Sequence, residues 1–257
     1  MQKIKQLYRK DYTGEDVNVT AEYVNQLWRY QTEHVANPFE NLPLSNRAVV
    51  VGNGVTRLDF NLNLFLAARN TTDWGERSGW KPPINNAGRF NTYGCNALYR
   101  NYQPDFLITT GAEMIAELAN SEYCDNNVVY ANKQAVTNYP GKFHYVPQDP
   151  QWNSGAVATY IAAFDGHQKV FMIGFDGADS ADSSYNVYAG TNAYPQAPDS
   201  LLEDYWELSM AEVFKAYPDT SFVRVAPTKS FRTPEAWKYC LNYRSIDFRQ
   251  FVLEADL

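Results

Sequence analysis

Unbroken apolar runs alternate with helix-spaced apolar positions along most of this chain. The run Ala48-Val49-Val50-Val51 predicts a buried strand, as do Asp105-Phe106-Leu107-Ile108-Thr109, Asn127-Val128-Val129-Tyr130-Ala131, Lys169-Val170-Phe171-Met172-Ile173 and Phe222-Val223-Arg224-Val225. Between them, Met114, Ile115 and Leu118 predict one helix. Ser154-Gly155 opens a second through Ala156, Tyr160 and Ala163, closed by the turn Asp165-Gly166-His167. A long helix over 200–217 and a carboxyl-terminal helical segment complete the pattern. Strand and helix in alternation imply an α/β, Rossmann-like fold, a mainly parallel sheet flanked by helices, over residues 46–257. Residues 1–45 read as an amino-terminal helical appendage. There Thr20 caps a helix through Glu22, Tyr23, Leu27 and Tyr30 follow at helical spacing, and Asn37-Pro38 ends it. Leu58, Phe60, Leu62 and Leu64 form an apolar segment of ambiguous type, and the polar stretch from Asn70 to Asn91 has no assignable element.

Composition narrows the function classes. The 257 residues carry a formal charge of -7 without any cluster of Lys and Arg, which argues against nucleic acid as partner. Three cysteines, Cys95, Cys124 and Cys240, stand at unrelated spacings, so reduced thiols in a cytoplasmic protein are expected rather than a disulfide framework. No run of eighteen apolar residues occurs, and the amino terminus lacks the apolar stretch of a signal peptide. An integral membrane segment is therefore not expected, and a homo-oligomer is compatible with the composition.

Four loops leave strands or enter helices with small or amide-bearing residues: Gly52-Asn53-Gly54, Gly94-Cys95-Asn96, Asn153-Ser154-Gly155 and Gly174-Phe175-Asp176. In a parallel sheet such loops converge on one edge, where ligands bind. Gly52 and Gly54 let the backbone approach a ligand. The Asn53 and Asn96 amides match the donor and acceptor edge of a nucleobase or ribose, and the Ser154 hydroxyl beside helix-start amides suits a phosphate. Asp176, at a strand end, serves either to bind ribose or to cap local amides.

The order of these segments resembles the sialyltransferases of glycosyltransferase family 42, bacterial enzymes using CMP-sialic acid, and related sialyltransferase-like proteins. The matching positions are Val51 to Gly54, Cys95-Asn96 with Tyr99, Ser154-Gly155, Gly174-Phe175-Asp176 and Ser183-Ser184-Tyr185, over residues 48–190. The resemblance implies a GT-A-like sialyltransferase variant of the Rossmann-like fold. It implies a nucleotide site built by Asn53, Gly54, Asn96, Ser154, Gly155 and Asp176, with Tyr185 donating to the departing phosphate. A CMP-activated sugar would be the donor substrate, with no separate cofactor and no metal, and a glycan or other hydroxyl compound the acceptor. The sugar would be transferred with inversion, the donors acting on charge that grows as the glycosyl bond breaks.

This chain departs from the family pattern where the chemistry is done. The family's histidine base follows its Ser-Ser-Tyr motif, whereas His34, His144 and His167 all precede Tyr185. A second phosphate tyrosine is replaced by Gly177-Ala178, an arginine by Gln151, and a third asparagine falls at Thr109 or Thr110. His144, ten residues ahead of Ser154, is the candidate base near neutral pH, with Glu203 and Asp204 as others. Tyr188 and Tyr194 are candidate replacements for the missing tyrosine. Asp176, Asp179 and Asp182 suit either a divalent cation or a solvated turn. The alternative to transfer is a catalytically inactive relative serving as a binding or structural subunit.

Overall fold

The computed structural model describes residues 2–8, 17–24, 27–34, 47–65, 90–176, 186–196, 203–227, 232–255 and 257, the first three stretches by their strand pairing. Its strands are β1 (Gln2–Tyr8), β2 (Val17–Val24), β3 (Leu27–His34), β4 (Arg47–Val51), β5 (Phe90–Cys95), β6 (Phe106–Thr109), β7 (Val128–Ala131), β8 (His144–Tyr145), β9 (Lys169–Ile173), β10 (Ser221–Ala226) and β11 (Tyr243–Asp247). The helices are α1 (Ala112–Ala119), α2 (Tyr123–Asn126), α3 (Lys133–Asn138), α4 (Ser154–Phe164), α5 (Glu203–Ala216) and α6 (Phe248–Ala255), with 3-10 turns η1 (Val55–Asp59), η2 (Asn96–Arg100) and η3 (Glu235–Trp237).

All the strands join one sheet in the order β11-β10-β9-β4-β5-β6-β7-β8-β1-β2-β3. From β11 to β8 every pairing is parallel, which makes this an α/β, Rossmann-like fold. The chain runs outward from β4 through β5 to β8, then returns to place β9 on the opposite side of β4. The order reverses between β4 and β9, and crevices at such reversals are where open α/β sheets bind ligands.

Parallel strands are covered on both faces and so read as continuous apolar runs. Val49, Val51, Phe171, Ile173, Val223 and Val225 pack on one face with Phe60, Leu118 and Phe251. Their sequence neighbours Ala48, Val50, Val170, Met172 and Phe222 pack on the other, against α4 and α5 through Val157, Ile161, Met210 and Phe214. Asn153 caps α4 by accepting from the Ala156 amide at 3.0 Å, one residue earlier than Ser154-Gly155 suggests.

Residues 1–45 correct the expected helical appendage. Over 20–30 the structure has β2 and β3, paired antiparallel from Val17↔His34 to Val24↔Leu27, and β1 pairs with β2 and meets β8 at Lys5↔His144. The reason lies in a competing period: Val17, Val19, Ala21 and Tyr23 alternate with polar residues, and Trp28, Tyr30 and Thr32 do so again. That two-residue rhythm in β-branched and aromatic side chains outweighs the three positions at helical spacing. Asn37-Pro38 and 70–89 lie outside the described residues. At the end of that polar stretch β5 is a strand that the apolar pattern does not announce. Leu58 and Leu64 are exposed while Phe60 is buried, the ambiguous segment having become η1, a turn at Leu62 and helical residues over 63–65.

Candidate functional site

The loop after β4 is docked against the loop after β9. The Gly52 amide donates to the Ile173 carbonyl at 2.8 Å and the Gly54 amide to the Gly174 carbonyl at 2.9 Å. A Cβ on Gly52 would meet the Gly174 oxygen at 2.4 Å, and one on Gly54 would meet the Asp176 carboxyl carbon at 2.4 Å. Gly174 itself has φ +74, a left-handed conformation that glycine adopts without a Cβ penalty. The glycines therefore serve close loop-to-loop packing, and their amides are already engaged within the protein.

Asp176 is buried, and its carboxylate accepts from the Thr56 amide at 2.9 Å and from the Thr56 hydroxyl. Arg224, also buried, donates to the Asp176 main-chain carbonyl. Burial raises the Asp176 pKa, while the bonds from Thr56 and the charge of Arg224 oppose the rise. Of the two roles open in the sequence, amide capping is the one formed here.

Asn53 and Asn96 close the ends of neighbouring strands, and one tyrosine joins them. The Asn53 amide nitrogen donates to the Tyr194 hydroxyl at 3.0 Å, and Asn96 is a second hydrogen-bond partner of that hydroxyl. Asn96 has φ +52, which asparagine tolerates better than most residues. Among the described residues, Asn53 Oδ1, Asn96 Oδ1 and Thr109 Oγ1 are buried without a partner. They mark the carboxyl ends of β4, β5 and β6, one beside the next in the sheet. Unsatisfied buried acceptors of this kind call for an explanation, a ligand or water among them.

Residues 186–196 lie across these strand ends. The Val187 amide donates to the Asn53 carbonyl at 2.8 Å, and Arg57 donates to the Tyr188 hydroxyl at 2.8 Å. The Tyr188 and Tyr194 rings lie with centroids 5.9 Å apart, tilted at 38° to one another. Burial raises the pKa of both phenols, so both are protonated donors at neutral pH. Burial likewise pushes the Cys95 thiol up to about 12, against the pull of Arg57, and leaves it un-ionised.

Glu117 on α1 fastens this segment from the side. It accepts from the Tyr99 hydroxyl at 2.6 Å, from Arg100 Nε at 2.9 Å and Nη2 at 2.6 Å, and from the Asn192 amide. Arg100 in turn donates to Thr191 Oγ1 at 2.9 Å and the Asn192 carbonyl at 3.1 Å. Burial opposes ionisation of Glu117, but the donors from Arg100, Tyr99 and Asn192 override it and hold the carboxyl below the ordinary glutamate range. A depressed folded-state pKa contributes stability above the unfolded value, and that contribution is lost as pH falls through the folded one. Glu117→Gln is therefore expected to lower stability by about 1–2 kcal/mol at pH 7. Urea denaturation at successively lower pH should show the gap between variant and wild type closing below the normal glutamate pKa.

Ser154 sits on the other side of Phe175. Its hydroxyl accepts from the Thr110 amide at 2.9 Å and shares a hydrogen bond of 2.9 Å with Thr110 Oγ1. The Phe175 ring stands between the Gly52 loop and the start of α4, each glycine's Cβ position lying 3.2 Å from it at Gly52 and Gly155. The structure thus brings Asn53, Gly54, Asn96 and Asp176 together around β4, β5 and β9, and sets Ser154 and Gly155 beyond an aromatic ring. His144 lies within β8, four inter-strand steps from β4. At ~4.8 Å per step this is roughly 19 Å. Tyr185, with Ser183, Ser184, Gly177, Ala178, Asp179 and Asp182, lies outside the described residues, as do the side chains of Glu203 and Asp204 at the start of α5. Gln151 is exposed.

Two further residues of the site have only a faint sequence signal. Arg57 is a buried charge inside η1, in a stretch of mixed apolar and polar residues, Val55 to Phe60, that does not mark it out. Tyr194, a candidate in the sequence for the missing phosphate tyrosine, has here the Asn53 amide as a partner, a contact far apart in the chain that no local pattern encodes.

No family model matches the chain, and no curated protein matches it. Among solved structures it is similar to the PilB minor pilin from Streptococcus sanguinis at 9% identity, over 99% of this chain and 77% of that one, with a TM-score of 0.30. An overlap that low carries no inference about fold or function. Among the described residues no helix is long and apolar enough to cross a membrane.

Proposed function

We propose that this chain binds a CMP-type sugar nucleotide at the carboxyl ends of β4, β5 and β6 and transfers its sugar to a hydroxyl acceptor, as a sialyltransferase-like glycosyltransferase. The observation that carries the reading is the pair Asn53 and Asn96, whose buried side-chain carbonyls face no donor among the described residues. Carbonyl acceptors recognise donors, and a cytidine nucleotide offers an exocyclic amine and ribose hydroxyls. The reversal of strand order at β4 and β9 supports the same location. In this reading the leaving phosphate is met by neutral tyrosine hydroxyls, Tyr185 among them, and no cation is invoked.

Calorimetric titration of the full chain with CMP tests it. Wild type is expected to bind, and Asn53→Ala to weaken binding about tenfold, the equivalent of one hydrogen bond. Absence of CMP binding to the folded wild type overturns the reading.

The position of His144, far along the sheet from Asn53, favours a second reading, in which the same site binds nucleotide without turnover. Release of CMP from CMP-sialic acid, lost in Tyr185→Phe, decides for transfer. Intact CMP binding without release decides for the second reading.

A further inference from the structure

Arg57 is a buried charge to which the nucleotide reading gives no role. It is 3% exposed, and among the described residues no carboxylate pairs with it. A guanidinium has five N–H donors. Arg57 directs Nη1 to the Gly52 carbonyl at 3.3 Å and Nη2 to the Tyr188 hydroxyl at 2.8 Å, and Nε has no partner. Its charge lies 5.1 Å from the Tyr188 ring centroid, and that of Arg100 lies 5.6 Å from the same ring. Glu117 neutralises Arg100 at 2.6 Å, so the surplus positive charge here belongs to Arg57. A desolvated cation without a counter-charge is strongly unfavourable unless an anion completes it.

Arg57 also forms part of the wall of a cavity of about 360 Å³, whose other walls include Leu58, Phe60, Asn61, Asn101 and Tyr102. That volume is at the small end of ligand pockets, and its lining mixes apolar surface with side-chain amides. Amides and aromatic faces suit a hydroxylated body, and a guanidinium suits a carboxylate or phosphate, which it grips along one edge with two parallel bonds.

We propose that this cavity is an oxyanion subsite for a small hydroxylated acid. Arg57 takes its carboxylate or phosphate, and the amides of Asn61 and Asn101 take its hydroxyls. The proposal stands independently of the nucleotide reading, because none of the cavity residues named here holds the nucleotide in it.

The test is titration of the full chain with glucuronate, its neutral amide glucuronamide, glucose 6-phosphate and glucose. A charged probe is expected to bind at least about tenfold more tightly than its neutral counterpart. Whichever of glucuronate and glucose 6-phosphate binds more tightly identifies the oxyanion as carboxylate or phosphate. Arg57→Gln should abolish the preference for charge. If that variant fails to fold, Asn101→Asp at the exposed rim carries the test: it leaves both Arg57 bonds in place, adds a repelling charge, and should weaken the acid about tenfold. Equal binding of charged and neutral probes, no binding of either acid at millimolar concentration, or an Asn101→Asp protein that binds the acid like wild type overturns the proposal.

Discussion

Gly52→Ala is expected to destabilise the protein by about 3 kcal/mol, read as a lower urea midpoint at unchanged slope. The added methyl would stand 2.4 Å from the Gly174 oxygen, 3.1 Å from its carbonyl carbon and 3.2 Å from the Phe175 ring. Two of these contacts are backbone, which yields less readily than a side chain. The backbone there is held on both sides, since the Gly52 and Gly54 amides bond the Ile173 and Gly174 carbonyls at 2.8 and 2.9 Å. Relief therefore requires the ends of β4 and β9 to part, which breaks those bonds and displaces the loop carrying Asn53. Gly111→Ala is the matched control. Nothing lies within 4 Å of that Cβ position, so a change within about 0.5 kcal/mol is expected. A Gly52→Ala protein as stable as this control would mean that the two loops are not docked as described.

Trp237→Ala should cost more, about 3–5 kcal/mol, and lower Tm by roughly 10 °C for a chain of this size. The indole is fully buried, with Trp206, Phe214 and Tyr243 at centroid distances of 5.3, 5.4 and 5.0 Å. Its N–H donates to the Glu207 carbonyl at 2.7 Å, tying η3 to α5. Truncation leaves a large cavity among rigid rings and removes that donor. The Arg224 guanidinium, 5.6 Å from the same ring, loses its packing surface. Because Arg224 also holds the Asp176 carbonyl, the loss reaches the loop beneath Gly54. Trp237→Phe, which refills part of the volume, should recover part of the stability. Equal Tm values for Trp237→Ala and wild type would contradict this packing.

How much of this was legible depended on whether a segment's local signal had a competitor. β4 and β9 were plain because strands buried on both faces carry apolar side chains at every position, as Ala48 to Val51 and Val170 to Ile173 do. β5 was hidden although all six of its residues are buried, because its sequence reads Phe-Asn-Thr-Tyr-Gly-Cys. Thr92 is tolerated there through bonds to Asp105 at 2.8 and 2.9 Å, a partner just ahead of the next strand that sequence alone does not supply. The amino-terminal strands resemble helix in sequence because Tyr23, Leu27 and Tyr30 satisfy one period while their neighbours satisfy another.

The candidate site divides the same way. Asn53 and Asn96 could be chosen from loops at strand ends, since the topology brings all such loops to one edge. The placing of His144 depended on strand order, and an approach in sequence to Ser154 gave no measure of the distance across the sheet. Asp176 has two roles open in the sequence, and the Thr56 amide and hydroxyl that bond its carboxylate come from 120 residues away, where no local pattern points.

The Phe175 ring, seated between the Gly52 loop and the start of α4, fills the space there with one side chain rather than with backbone. The hydrogen bonds that dock the two loops belong to main-chain atoms of Gly52, Gly54, Ile173 and Gly174, so the frame does not depend on what residue 175 is. A smaller residue at 175 would therefore open space between the Gly52 loop and the start of α4 while leaving those bonds in place.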